Sequence, residues 1–135
     1  MEEYMSSNRS KHLIQYHFIF CTKYRHKIFM FPEICEDLKI AMIEISNKYD
    51  FWIKTLESDK DHIHLLIRSV PKISPSQICR VLKQESTFKI YDKHAAYLKQ
   101  FYWKGRRMLW SDGYFVTSIG NASEETIRKY IESQG

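Results

Sequence analysis

The stretch DKDHIHLLIR, residues 59–68, predicts a half-buried β-strand that begins at His62. Because successive side chains of a strand point to opposite faces, one face of this strand carries both His62 and His64. These two residues lie roughly 6–7 Å apart along the backbone, since each residue advances about 3.3 Å. The opposite face carries three aliphatic residues that would enter a core: Ile63, Leu65 and Ile67. Two imidazoles at this spacing can bind one metal ion, but the motif also fits two partly exposed histidines on a sheet surface.

The segments before this strand predict a strand, a helix and a second strand. Residues 13–21, LIQYHFIFC, are β-branched and aromatic and are apolar on both faces, which predicts a central strand. Residues 51–56 predict another strand, followed by a turn over residues 57–61. Between them, residues 33–48 predict a helix, because apolar side chains recur at helical spacing: Ile34, Leu38, Met42 and Ile45.

The segments after it predict a helix, a fourth strand and a final helix. Ser74 and Pro75 suit the N-cap and the first position of a helix. Residues 114–119 predict a strand, and Ser123 suits the N-cap of the last helix. The helix that follows Ser74 has an expected apolar face: Ile78, Val81, Leu82 and Phe88.

The resulting order, β-α-β-β-α-β-α, predicts an α+β fold. Its first six elements match the ferredoxin-like or RRM-like arrangement, an antiparallel four-stranded sheet with helices on one face. The seventh element is an additional C-terminal helix. The uncovered face of such a sheet is available to bind nucleic acid, to form a dimer or to carry a site.

The composition predicts one soluble domain. The 135 residues can bury a core of their own, and residues 1–10 are expected to be a flexible arm. The three cysteines have long, uneven gaps, which favours reduced thiols in a cytoplasmic protein. We expect no membrane association, because no apolar run approaches the roughly 20 residues that span a bilayer and the N-terminus lacks the apolar core of a signal peptide.

Two segments that mix cations with aromatic residues predict contact with single-stranded nucleic acid, although solvated charged loops have the same composition. The formal net charge of +5 favours polyanions in general but does not identify one. The candidate residues of the first segment are Lys23, Tyr24, Arg25 and Lys27. Those of the second segment are Lys104, Arg106 and Arg107.

The last predicted helix carries Tyr130 and Gln134, which share a helix face because they are four residues apart. The phenol could reach a substrate, and the amide oxygen could reach a metal ion. Spacing alone favours a packing role for Tyr130, since it belongs to an apolar stripe with Ile127 and Ile131.

The sequence resembles the single-tyrosine HUH transposases, the transposase A proteins of the insertion sequence 200/605 family. The HUH motif, histidine-hydrophobe-histidine, is residues 62–64 within DKDHIHLL. The similarity extends to YHFIFCTKYRHKIF, residues 16–29, and to the ending LWSDGYFVTSIGNASEETIRKYIESQ, residues 109–134. It covers nearly the whole chain, residues 1–135, as one HUH transposase domain.

The resemblance implies that Tyr130 is the nucleophile and that His62, His64 and Gln134 bind a divalent metal. It also implies a bacterial or archaeal homodimer that acts on single-stranded DNA, on hairpins at element ends, with active sites shared between subunits. Mn²⁺ suits two neutral imidazoles better than Mg²⁺, which prefers oxygen ligands, but either ion is possible. From the residues alone, Asp61 or Asp59 could orient an imidazole, or both could cap the preceding turn.

The expected reaction is a transesterification through a 5′-phosphotyrosine, which needs no ATP. Three alternatives stay open at this point. The protein could be a domesticated relative that processes chromosomal repeat hairpins, a non-catalytic nucleic-acid-binding module of ferredoxin-like fold, or a metal-dependent phosphodiesterase that uses water as its nucleophile.

Overall fold

The computed structural model describes residues 5–7, 10–12, 14–102, 106–118 and 124–134. Its main sheet contains four strands: β3 (Ile14–Cys21), β4 (Phe51–Asp59), β5 (His62–Ser69) and β6 (Phe115–Ser118). A separate ladder pairs two short strands: β1 (Met5–Ser7) and β2 (Ser10–His12). The helices are α1 (Pro32–Ser46), α2 (Pro75–Leu98) and α3 (Glu124–Ser133).

The main sheet has the strand order β4-β5-β3-β6, with every neighbouring pair antiparallel. The first and third strands of the β-α-β-β-α-β unit therefore lie in the centre, and the second and fourth lie at the edges. This is the ferredoxin-like order and confirms the predicted α+β fold. The predicted central position of residues 13–21 is confirmed for β3, which pairs with β5 on one side and β6 on the other.

The core lies between one face of this sheet and helices α1 and α2. The predicted inward residues of β5 are fully buried there: Ile63, Leu65 and Ile67. So are the four residues whose spacing predicts α1: Ile34, Leu38, Met42 and Ile45. Ser74 caps α2 as predicted, in a capping box in which Gln77 N donates to Ser74 Oγ and Ser74 N donates to Gln77 Oε1. The cap of α3 predicted at Ser123 lies outside the described residues.

Three predictions need correction or comment. The turn over residues 57–61 is wrong in its first part, because β4 continues to Asp59. Charged residues are tolerated at the end of β4 because it is an edge strand with an open polar face, where Glu57 and Asp59 lie opposite the two histidines of β5. Phe88 is 53% exposed and does not belong to the buried face of α2. The short strand β1 and the first residue of β2 lie within residues 1–10, where a flexible arm is expected, and the mobility of that arm stays a prediction.

No helix among the described ranges is long and apolar enough to cross a membrane. The three cysteines are free thiols, with Cys21 and Cys79 buried and Cys35 partly so.

Candidate active site

The histidine pair lies on the sheet face that α1 and α2 leave uncovered, as the alternation of β5 predicts. His62 is only 9% exposed and His64 is half-buried. Their ring centroids are 5.0 Å apart and the rings meet edge to face, at 73°. Two imidazoles in this arrangement are close enough to share one ion.

Asp61 orients the first of these rings. Its Oδ1 lies 2.9 Å from His62 Nδ1, and its Oδ2 accepts a hydrogen bond of 3.0 Å from Arg25 Nε. Burial disfavours ionisation of the carboxyl, but these two hydrogen bonds and the charge of Arg25 outweigh it and hold the pKa of Asp61 below its usual value. An ionised Asp61 accepts the proton of His62 Nδ1 and leaves Nε2 as the free donor atom. The turn is capped instead by Asp59, whose Oδ1 accepts from Lys60 N.

The contact between Arg25 and Asp61 depends on an unusual backbone. Tyr24 and Arg25 both have positive φ, at 61° and 53°. This left-handed conformation costs about 1–2 kcal/mol for a residue with a Cβ, and strain of this kind is often found at functional sites. Here it accompanies the contact of one guanidinium with the carboxylate behind His62.

His17 on β3 contacts the ring of His64, and the sequence does not indicate this residue as part of the site. Its Nε2 lies 3.2 Å from His64 Nδ1. The ring centroids are 5.3 Å apart and the ring planes are nearly parallel, at 17°. The contact occupies His64 Nδ1 and again leaves Nε2 free.

Burial, together with the neighbouring His62 and His17, lowers the pKa of His64, and burial lowers the pKa of His17. The rings of His64 and His17 are therefore neutral at pH 7, and the neutral imidazole is the form that binds a metal. The donor chemistry of His64 thus fits a divalent ion. Within the described ranges, no group of three His, Cys, Asp or Glu side chains could hold a metal. A complete site needs a ligand of another kind, such as an amide or a phosphate oxygen.

The candidate nucleophile is on α3, and its ring packs against Phe115 of β6 at 5.5 Å between centroids. Phe115 lies opposite Ile19 in the ladder, and Ile19 lies opposite His64, so Phe115 belongs to the same sheet face as the histidines. A Cβ on Gly113 would lie 3.7 Å from both Tyr130 Oη and Gln134 Oε1. The phenol and the amide therefore meet at Gly113.

The hydroxyl of Tyr130 is buried and has no hydrogen-bond partner in the part of the chain that the structure describes. Burial raises the pKa of this phenol, and the nearby thiols of Cys21 and Cys79 raise it further. The Gln134 amide is engaged differently, because its Oε1 accepts a hydrogen bond of 3.1 Å from Ser111 Oγ. In this arrangement the Tyr130 oxygen is buried away from any substrate, and the Gln134 oxygen is bonded to Ser111 and not to a metal.

The predicted site has two halves, the histidine pair on β5 and the pair of Tyr130 and Gln134 on α3. The structure places the two residues of each half close together, but it does not bring the two halves together. Among the described contacts, Tyr130 and Gln134 form no hydrogen bond or ring contact with either histidine. The halves are joined through Cys21, which lies opposite His62 in the ladder and whose carbonyl accepts from Ser111 N at 2.8 Å.

The predicted DNA-contacting residues have varied surroundings. Tyr24, Lys27, Arg106 and Arg107 are exposed, whereas Arg25 is engaged by Asp61. The Arg107 guanidinium lies over the Phe88 ring at 5.1 Å, and Lys23 Nζ lies 3.6 Å from Asp112. Lys104 lies outside the described residues. Nucleic-acid contact by these residues stays a prediction.

Asp61→Asn is expected to weaken Mn²⁺ binding by roughly 10–100-fold, the usual effect of removing a carboxylate behind a metal-binding histidine. Asparagine keeps the shape but not the charge that holds the proton on His62 Nδ1. Mn²⁺ titration followed by electron paramagnetic resonance measures the change. Asp92→Asn is the matched control, since it removes the same charge from an exposed position on α2, which packs on the opposite face of the sheet. Equal effects of the two substitutions would contradict the orienting role of Asp61.

Comparison with known proteins identifies related sequences. A family model described as "Transposase IS200 like" matches residues 10–134. The ISDra2 transposase TnpA of Deinococcus radiodurans is 31% identical over 121 residues, which cover 90% of this chain and 84% of the relative. The transposase for insertion sequence element IS200 of Salmonella typhimurium is 30% identical over 124 residues, covering 89% of this chain and 76% of the relative.

Solved structures agree in fold. A crystal structure described as that of a candidate transposase from Deinococcus radiodurans superposes with a TM-score of 0.83 at 29% identity, covering 96% of this chain and 98% of the other. A REP-associated tyrosine transposase bound to a REP hairpin superposes with a TM-score of 0.55 at 17% identity, covering 95% and 69%. The second likeness concerns the fold alone.

Proposed function

Because the chain belongs to the IS200-like transposase family, we propose that it cleaves and rejoins single-stranded DNA by transesterification, with Tyr130 as the nucleophile and His62 and His64 as metal ligands. One observation carries this proposal. Each histidine has its Nδ1 in a hydrogen bond, with Asp61 or with His17, so that both Nε2 atoms are free on the uncovered sheet face. Ordinary surface histidines have no need of such partners.

In the proposed reaction, the Tyr130 oxygen attacks a DNA phosphorus and displaces the 3′ oxygen of the neighbouring nucleotide. One phosphodiester bond breaks as one phosphotyrosine bond forms, which leaves a 5′-phosphotyrosine and a free 3′-hydroxyl. Attack by the 3′-hydroxyl of a second strand then reverses the exchange. The bound divalent ion would supply polarisation of the phosphoryl oxygen.

The buried state of the Tyr130 hydroxyl supports a resting arrangement that must change before reaction. A phenol has a pKa near 10 in water, and burial raises it here, so attack requires Tyr130 to leave Gly113 and to become more acidic. Gln134 would be the third ligand of the metal only after its Oε1 gives up the hydrogen bond from Ser111 Oγ. Both changes follow from one movement of α3, or from α3 of a second subunit that reaches this histidine pair in a shared dimeric site.

We propose single-stranded DNA hairpins at element ends as the substrate, because two relatives with about 30% identity are transposases of insertion sequences. The test uses a labelled single-stranded oligonucleotide with the hairpin and flank from the element's own end, in Mn²⁺ or in EDTA. The expected product is a protein–DNA adduct that resists denaturation and requires the metal. Cleaved DNA without an adduct would favour a phosphodiesterase that uses water, and binding without cleavage would favour a non-catalytic module.

A domesticated relative that processes chromosomal repeats would form the same adduct. The position of the gene separates the two cases, because a mobile copy lies between its own terminal hairpins and a domesticated gene does not.

A further inference from the structure

A cleft of about 460 Å³ lies beside the Gly113 segment that Tyr130 contacts. One wall is α2, and the other is the segment of residues 109–114. Its volume falls in the range of about 300–1,000 Å³ that is usual for small-molecule sites. Neither the histidine pair nor the segment of residues 23–27 lines it, so it is distinct from the metal site and from the first predicted DNA-contacting segment.

The α2 wall presents a polar, basic stripe. Arg80, Lys83, Gln84 and Thr87 line the cleft at the spacing of one helix face. Arg80 and Gln84 are exposed, so a guanidinium and an amide with both donor and acceptor capacity are available to a ligand. Asp112 also lines the cleft, but its side chain is 98% exposed and its carboxylate pairs with Lys23.

Lys83 connects the two walls of the cleft, because it lies on α2 and bonds to the segment of residues 109–114. Its Nζ donates to the carbonyl of Ser111 at 2.7 Å and to that of Gly113 at 2.6 Å. The ammonium also lies over the rings of Phe20 and Tyr114, at 5.4 and 6.0 Å from their centroids. Burial lowers the pKa of this lysine, although the nearby acidic groups oppose the shift. The two hydrogen bonds to backbone carbonyls hold the Lys83 ammonium at a fixed place in the lining of the cleft.

The second wall is aromatic and is shared with the candidate active site. Trp110 and Tyr114 line the cleft, and the indole of Trp110 is held by a hydrogen bond of 3.0 Å to Ser86 Oγ. Between them, Ser111 binds Gln134 and Gly113 contacts the Tyr130 phenol. A ligand in the cleft would thus lie next to the segment that contacts the proposed nucleophile.

We infer that this cleft binds one nucleotide of the DNA strand that Tyr130 attacks, with the phosphate on Arg80 and the base against the partly exposed Tyr114, next to the largely buried Trp110. Cations combined with aromatic rings are the pairing that holds unpaired nucleotides. The inference rests on the proposed function for the identity of the strand. The cleft would position the strand through a nucleotide that the metal site does not contact.

The direct test is binding of thymidine 5′-monophosphate to the whole protein, followed by the NMR signal of the Trp110 indole N–H. We expect a saturable shift. Arg80→Gln should weaken binding by about tenfold or more, as expected for loss of a hydrogen bond to a charged group. Lys39→Gln removes the same charge from an exposed position on α1 outside the cleft and should change binding by less than about twofold.

Thymidine and inorganic phosphate are the remaining probes. The inference predicts that neither alone reproduces the shift at the concentration at which the nucleotide saturates. If phosphate alone reproduces it, the cleft is an anion site, and if thymidine alone does so, Arg80 has no part in binding. Either result overturns the inference, as does an unchanged indole signal. The adduct assay on the same samples separates the two proposals, because a metal-dependent adduct without nucleotide binding would leave the proposed function intact and refute the cleft.

Discussion

Replacing Tyr130 by phenylalanine is expected to abolish the protein–DNA adduct and to leave the fold at least as stable as before. The adduct is lost because phenylalanine has no oxygen to attack phosphorus. Stability should not fall, because the hydroxyl is buried without a hydrogen-bond partner among the described residues. A buried unsatisfied polar group costs about 1–3 kcal/mol, so its removal should raise the free energy of unfolding by an amount of that order. Denaturing gels measure the first effect and urea unfolding the second.

Tyr97→Phe is the matched control for this substitution. The hydroxyl of Tyr97 donates to the carbonyl of Ile28 at 3.0 Å, so its removal should lower the free energy of unfolding by about 1 kcal/mol and leave adduct formation unchanged. The two variants are thus expected to move stability in opposite directions. An adduct that persists in Tyr130→Phe would refute the nucleophile assignment. A clear loss of stability in the same variant would refute the buried, unpaired state of the hydroxyl.

His64→Ala is expected to have the second largest effect, a loss of Mn²⁺ affinity greater than the roughly 10–100-fold that removal of an outer partner causes. The substitution removes one of two nitrogen ligands and also leaves His17 without the ring it contacts. Adduct formation should disappear at Mn²⁺ concentrations that saturate the unsubstituted protein. Electron paramagnetic resonance of free Mn²⁺ measures the affinity.

The control for His64→Ala is His94→Ala, at a histidine of α2. The ring of His94 contacts Asp37 at 2.6 Å and is not on the uncovered sheet face, so its removal should lower stability without changing Mn²⁺ affinity. Similar Mn²⁺ affinities in the two variants would mean that His64 is not a ligand. A metal-dependent adduct that survives in His64→Ala would lead to the same conclusion.

The features that the sequence predicts correctly depend on local pattern. The alternation in β5 predicts which residues enter the core and which reach the open face, and the capping residues of α2 form the expected contacts. Tyr130 and Gln134 share a helix face as their spacing predicts.

The features that it does not predict depend on long-range register and backbone conformation. His17 contacts His64 only because β3 pairs with β5 in one particular register, which cannot be read from either strand alone. Arg25 reaches Asp61 from consecutive residues with positive φ that no glycine signals. The packing of Tyr130 against Gly113 is a tertiary contact, and neither helical spacing nor family resemblance indicates it.

The residue that becomes linked to DNA can be identified by peptide mapping of the trapped adduct. The protein is incubated with the hairpin oligonucleotide and Mn²⁺, the DNA is digested to a short remnant, and tryptic peptides are identified by mass spectrometry. We expect one modified peptide, carrying a nucleotide on Tyr130 through its 5′ phosphate. A nucleotide on any other residue, or a metal-dependent cleavage that leaves Tyr130 unmodified, would rule out Tyr130 as the nucleophile.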